Sequence, residues 1–358
     1  MDELVALGAD VEYWDIGAII HPHVSITKRI DSEHSKIIYS IAHFRTLLDS
    51  IDVSSTIFAC EFYVPIWNAQ ILRLIKKSEC KCVKFYWYDN VAYPSVNGKF
   101  PLFNRLRQNL MSKMAVRQRL NNLNIRIETK LGLIKYDKIF STSSYSSIAT
   151  DRVNHYDYQT YCNFVKCHKG KIIDDGPIVF LDIDFPKHSD FRIFYGYEAS
   201  ESDCISYYDT MSGLFDIIEK QTGKEVVIAA HPKSAYKGFE YGGRKIIKNK
   251  TIELVASSSA CIMHASASIS FIALFDKPIV FVVADQMKAF PPMLDWMKRQ
   301  ASYFKMPLYS VSPNNYNEPI FSKIDPNIRE DYICTFLASP ETRNMSNGSI
   351  IIKYLNEE

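Results

Sequence analysis

The amino-acid sequence predicts an α/β protein of two successive halves, each a parallel sheet flanked by helices. Three observations predict it. The chain has 358 residues, and at about 150 residues per domain that length suits two domains. Short apolar runs rich in β-branched and aromatic residues alternate with amphipathic segments, and strands separated by helices pair in parallel. The alternation lapses across the polar, tyrosine-rich stretch 145–176 and restarts after the turn signal Gly176-Pro177. The expected boundaries are 1–170 for the first domain and 171–339 for the second.

In the first half, residues 11–20 carry strand-like runs around Tyr13 and Trp14. Residues 35–51 place Ile38, Ile41, Ala42, Leu47 and Leu48 at helical spacing. Residues 55–60 and 82–88 read as strands by their β-branched and aromatic content, with a helix over 68–77 between them, and 138–142 reads as a further strand. In the second half a strand is expected at 178–182 and a helix at 207–222, closed by Gly223 as its C-cap. Then come strands at 225–230 and 245–247, a helix from Thr251 as candidate N-cap, a strand at 260–264, a helix at 266–274 and a strand at 277–283. Residues 348–355 end the chain as helix or strand.

Composition removes several classes of function. Lys+Arg number 42 and Asp+Glu 40, a formal charge of +2, so attraction to nucleic acid or membrane has to be local. Hydrophobic residues at 47% and charged residues at 23% exclude a disordered chain. The eight cysteines form no CxxC pair, and Cys162, Cys167 and His168 are too few ligands for a zinc site. No metal is expected, and reduced thiols suit a cytoplasmic protein. No signal peptide is visible, and the longest apolar stretch, 256–284, is interrupted by His264, Asp276, Lys277 and Pro278. One segment is strongly charged: residues 101–135 carry eight basic residues and one acid, Glu128, for a net +7. With Phe103, Leu106, Leu110 and Met114 at helical spacing, this segment is either a solvated helical hairpin or a contact for an anionic surface. The second reading keeps peripheral association at the inner membrane open. Phe103 is the only aromatic residue of the segment, which serves base stacking poorly, so nucleic acid is not an expected partner.

The second half carries the chemistry-bearing motifs. An apolar strand runs into His231-Pro232-Lys233-Ser234. Proline cannot extend the ladder and biases the preceding residue to extended backbone, so the imidazole belongs at the carboxyl edge of a sheet. There it can donate to a phosphate or a ribose hydroxyl, with Lys233 and Ser234 adding donors. About thirty residues on, the strand ending at His264 leads into Ala265-Ser266-Ala267-Ser268-Ile269-Ser270 and an apolar helix. Free N–H groups and hydroxyls at such a helix start suit an anion. Ordinary capping by serine and a structural histidine are the competing readings.

Taken together, His231-Pro232 and Ser266, Ser268 and Ser270 resemble the HP and Ser motifs of GT-B glycosyltransferases. More narrowly, they resemble those of bacterial sialyltransferases, polysialyltransferases and Kdo-type transferases. The likeness covers roughly residues 177–284. It implies two Rossmann-like domains facing a cleft, the first for the acceptor and joined by 340–358, the second for a nucleotide sugar. It implies an inverting, metal-independent transfer from a CMP-linked acidic sugar to a bacterial surface glycan or glycolipid of lipopolysaccharide or capsule, with the donor a substrate and no further cofactor. His231 then acts on the leaving phosphate, and His231, Pro232, Lys233, Ser234, His264, Ser266, Ser268 and Ser270 hold the donor. The acid-acid-Gly motif those families keep in the first domain is spelled here by Asp174-Asp175-Gly176, at the wrong place. Asp89, after the strand 82–88, is the first candidate for general base, and Asp15 the second. Asp182-Ile183-Asp184 spells a metal clamp, also in the wrong domain. A nucleotide-sugar epimerase, a polyol-phosphate transferase and a non-catalytic glycan-assembly protein are the alternatives.

Overall fold

Ile178–Leu181 (β7), Val226–Ala230 (β8), Ala260–Met263 (β10) and Ile279–Ala284 (β11) are buried at every residue. Such continuous apolar strands suit a parallel sheet covered on both faces. The computed structural model describes residues 2–20, 34–61, 69–87, 91, 130–132, 135–146, 149–168, 175–189, 191–192, 196–313, 316 and 318–356. These divide into two compact units, one within Met1–Trp87, Ser95–Val153 and Thr342–Glu358, the other within Tyr88–Pro94 and Asn154–Glu341. Both are α/β units on parallel sheets, the class the sequence predicts.

The first unit holds Tyr13–Asp15 (β1) beside Ser35–Ile37 (β2), and a four-stranded sheet of Ile57–Cys60 (β3), Lys81–Tyr86 (β4), Lys138–Ser141 (β5) and Asp151–Arg152 (β6) in that order. Every ladder is parallel. Asp2–Ala6 (α1) meets the C-terminal helix Asn347–Asn356 (α10), where Gly348 N–H donates to Glu3 Oε2 at 3.2 Å. Ile41–Leu48 (α2) starts later than the hydrophobic spacing predicts. Ser35–Ile37 pairs as a strand, and the Ser40 hydroxyl caps the helix by accepting from His43 N–H. Ala69–Lys77 (α3) buries Ile71, Leu72 and Ile75 against β3 and β4 residues Cys60 and Cys82.

In the second unit, Ile246–Lys248 (β9) and Leu308–Val311 (β12) complete a six-stranded sheet in the order β12-β11-β10-β7-β8-β9. β7 pairs with β8 on one side (Phe180 opposite Ile228) and with β10 on the other (Phe180 opposite Ile262). The chain therefore winds outward through β8 and β9, then returns past β7 to lay down β10, β11 and β12. The order reverses between β7 and β10, and the loops leaving those two strands diverge there.

Side chains of period two divide the core. Ile178, Phe180, Ile228, Ile262 and Val282 pack under Glu201–Thr222 (α5), with Tyr207, Met211, Leu214 and Ile218 facing them. Val179, Leu181, Ala229, Cys261, Met263 and Phe281 face the opposite layer. That layer is built from Tyr156–Cys167 (α4), Thr251–Ser257 (α6), Ile269–Phe275 (α7) and Pro326–Tyr332 (α9). Pro291–Tyr303 (α8) adds Met293 and Met297 to the α5 side. α5 begins at Glu201, six residues before the expected start, because Ser200 and Asp203 form a reciprocal capping box. Gly223 closes it in the left-handed conformation, as expected of a C-cap. Thr251 is the first residue of α6 and not its N-cap, which is Lys250. Among the described residues no helix is long and apolar enough to cross a membrane. No group of three His, Cys, Asp or Glu side chains converges there either.

Candidate functional site

A pocket opens at the carboxyl edge of the six-stranded sheet, at the point where strand order reverses. Its lining comes from four successive places in the chain: Leu181 and Asp182 at the end of β7; Ala229, Ala230, His231 and Pro232 at the end of β8; Thr251 at the start of α6; and Ser266 and Ser268 between β10 and α7. In open α/β sheets ligands bind in the crevice outside the carboxyl ends of the strands at such a switch point.

His231 stands where the strand-Pro rule puts it. The HP turn is closed by its own hydrogen bonds: Ser234 N–H and Oγ both donate to His231 O, at 3.0 and 2.8 Å. Lys248 Nζ, from β9, donates to Ser234 O at 2.5 Å. Ser234 is buried; it builds the turn and is not in the pocket lining. Lys233 is exposed, and its backbone N–H donates to His231 Nδ1 at 3.2 Å. That bond makes Nδ1 the acceptor nitrogen, so the neutral ring carries its proton on Nε2.

The serine segment divides in the same way. Ser266 and Ser268 line the pocket, but the backbone donors of residues 268–271 are in use. Ser268 N–H donates to Ser266 Oγ at 3.1 Å, and Ile269, Ser270 and Phe271 N–H groups turn back onto the carbonyls of residues 266–268. Both lining serines also bring a side-chain hydroxyl. Buried Gln300, on α8, clamps the Ser266 backbone from behind: Nε2 donates to Ser266 O at 3.0 Å and Oε1 accepts from Ser266 N–H at 3.3 Å. Ser270 points the other way. It is fully buried, and its hydroxyl donates to Asp157 Oδ2 on α4.

His264 is fully buried as well. Its Nδ1 lies 2.7 Å from Val282 O, which can only accept, so Nδ1 carries the proton and Nε2 accepts from Tyr207 Oη at 2.8 Å. Burial depresses the ring to about 4. A neutral imidazole tying β10 to β11 and α5 holds the sheet together and does not reach the pocket.

Asp182 is the acidic group of the lining. Its Oδ2 accepts from Tyr236 Oη at 2.7 Å and from His231 N–H at 3.4 Å. Its Oδ1 accepts from Tyr241 Oη at 3.0 Å and from Asp184 N–H at 2.9 Å. Burial pushes this carboxyl up from its ordinary range, against the pull of those four donors. Asp184 follows it in the left-handed region at φ 58°. Burial and then the neighbouring Asp182 charge raise it to about 6. Asp182-Ile183-Asp184 is thus bound up in hydrogen bonds with the protein.

Several residues went unnoticed in the sequence. His188, seven residues beyond the end of β7, brings its ring centroid within 4.7 Å of the His231 ring; no strand-end His-Pro pattern marks it. Tyr236, Tyr241 and Gln300 have no local signature. Of the remaining candidates, Asp89 and nearly all of the basic segment 101–135 lie outside the described residues. Asp15 ends β1 and accepts from Gly17 N–H at 2.8 Å. Asp175 is exposed and paired with Lys224 at 2.5 Å, beside a Gly176 packed against Ser257. Cys162, Cys167 and His168 lie along α4 and its end, with His168 stacked on Phe164.

No protein-family model matches the chain, and no curated protein matches it. Among solved structures, the chain is similar to the wall teichoic acid polymerase TagF in its H548A form, at 13% identity and a TM-score of 0.49, over 97% of this chain and 87% of that one. It is similar to UGT89C1 of Arabidopsis thaliana at 8% identity and a TM-score of 0.38, over 99% and 88%. It is also similar to the spinosyn forosaminyltransferase SpnP at 11% identity and a TM-score of 0.32, over 80% and 68%. Likenesses this distant bear on neither substrate nor residue roles.

Proposed function

We propose that the chain is an inverting, metal-independent glycosyltransferase of the GT-B type whose second unit holds a nucleotide sugar in the switch-point pocket. Its preferred donor is a CMP-linked acidic sugar of the sialic-acid or Kdo type, and its acceptor a bacterial surface glycan or glycolipid. One observation carries the reading. Two motifs some thirty-five residues apart in the chain, His231-Pro232 and Ser266-x-Ser268, meet around one pocket at the carboxyl edge of a doubly wound sheet.

The lining suits the chemistry of departure. An acceptor hydroxyl loses its proton to a carboxylate base and attacks the anomeric carbon, the bond to the nucleotide phosphate breaks, and the electron pair leaves with the phosphate oxygen. The growing charge on that phosphate needs donors fixed beforehand. His231 Nε2–H, set by the Nδ1 bond, and the hydroxyls of Ser266 and Ser268 are such donors. Asp89, following β4, is the proposed base. Asp89→Ala is expected to abolish turnover and leave nucleotide affinity nearly intact; unchanged turnover discards that assignment.

Thermal stabilisation by CMP, CDP, UDP, GDP and ADP tests the class and the donor together. A nucleotide at 100 times its Kd adds about 2.7 kcal/mol. A shift confined to CMP supports the acidic-sugar donor. A shift with UDP or GDP keeps the transferase and discards the CMP-linked donor. No shift with any nucleotide overturns the reading.

A further inference from the structure

We infer that Asp182 is a positioning residue: its carboxylate holds both ends of the His231–Tyr236 loop and thereby fixes the His231 ring as it faces the pocket. The role in binding rests on the pocket being the nucleotide site; the geometry of the loop does not. Asp182 leaves the end of β7, the central strand next to β8, and its Oδ2 spans the loop from His231 N–H at 3.4 Å to Tyr236 Oη at 2.7 Å. Oδ1 takes Asp184 N–H at 2.9 Å and Tyr241 Oη at 3.0 Å, which anchors the carboxylate itself. Four donors meet the four lone-pair positions of one carboxylate. A carboxylate so engaged is neither a base nor a ligand group, although it borders the pocket. What it determines is the backbone path of residues 231–236. That path in turn places Lys233 N–H on His231 Nδ1 at 3.2 Å and leaves the ring proton on Nε2.

The variant that isolates this role is Asp182→Asn. The side chain keeps its shape, but one oxygen becomes an NH2 group that cannot accept. A tyrosine hydroxyl can rotate to adapt; a main-chain N–H cannot. Either His231 N–H or Asp184 N–H therefore loses its acceptor. Two readouts on the ligand-free chain follow the loop directly: amide hydrogen exchange over residues 231–236, and the ring 15N signals of His231, assigned by their loss in His231→Gln. The expected result is exchange in the loop about tenfold faster, with the interior of β8 unchanged, and His231 signals moving from the Nε2–H pattern toward a mixture of tautomers. CMP affinity is expected to fall about tenfold. Tyr236→Phe, which deletes the bond to Asp182 Oδ2 and the 3.3 Å contact with Tyr241 Oη, serves if Asp182→Asn does not fold, and is expected to loosen the 234–236 end in the same direction. Wild-type exchange and an unchanged Nε2–H pattern in the folded variants overturn the inference. If the wild-type chain binds no nucleotide, the reading of the pocket fails, while the exchange and tautomer results still decide the role of Asp182.

Discussion

His264 should make the second unit lose stability in mild acid. The imidazole is fully buried between Tyr207 and Val282 O and titrates near 4, against 6.5 for an ordinary histidine. Above pH 6.5 the ring is neutral whether the chain is folded or unfolded, and its contribution is fully present. As pH falls below 6.5 the unfolded chain takes up a proton that the folded site refuses, and stability drops until pH reaches about 4. At about 1.4 kcal/mol per pH unit, the full loss is about 3 kcal/mol, of which roughly 2 kcal/mol has gone by pH 5. His264→Asn removes the titration. Its amide can still donate to Val282 O, and the bond to Tyr207 and some packing are lost at every pH. The assay is urea unfolding at pH 8 and pH 5 followed at Trp296, the second unit's only tryptophan, with the other three tryptophans replaced by Phe. The wild-type chain should lose roughly 2 kcal/mol more than the variant between the two pH values, since every other titrating group is common to both. Equal losses would mean that the ring titrates normally and would refute its description as a buried neutral strut.

Other perturbations follow from single contacts. At Gly176 an added Cβ would sit 2.1 Å from Ser257 O, a clash with main chain, so Gly176→Ala should cost at least about 2 kcal/mol in thermal unfolding; a change within 0.5 kcal/mol would contradict that packing. Gln300→Leu strips both partners from the Ser266 backbone. It should weaken nucleotide binding by calorimetry about tenfold, through about 1–3 kcal/mol of unpaired main-chain groups, with α8 still folded by circular dichroism. Gly223→Ala at the left-handed C-cap of α5 should cost about 1 kcal/mol without touching nucleotide affinity.

The second unit was the more legible half because its strands are buried on both faces and so write themselves as unbroken apolar runs. β7, β8, β10 and β11 fall within a residue or two of where those runs predict them. What escaped were elements with short or mixed signals. β6 has two residues, β12 has the sequence Leu-Tyr-Ser-Val, and β2 hid inside an apparent helical spacing that Ser40 interrupts. α8 opens with Pro291-Pro292, a start signal that was there to read.

At the site, the strand-end rule located His231, Pro232, Ser266 and Ser268, all of which line the pocket. It could not tell them from neighbours that turn inward. His264 is two residues from Ile262, and period two puts it on the α5 side of the sheet, against Tyr207. Ser270 lies one helical turn beyond Ser266 and meets α4. The supports of the pocket were illegible for a different reason. Gln300 reaches Ser266 across 34 positions and Tyr241 reaches Asp182 across 59, distances that only the winding of the sheet makes short.

Titration calorimetry decides whether this pocket binds the nucleotide of a sugar donor. The strongest nucleotide from the thermal screen is titrated into the wild-type chain and into His231→Ala and Ser266→Ala/Ser268→Ala variants whose folds are verified by circular dichroism. One site per chain is expected, with affinity falling at least about tenfold in each variant, the loss of at least one ligand hydrogen bond at about 1.4 kcal/mol. Wild-type affinity in both variants would contradict it and place the nucleotide elsewhere.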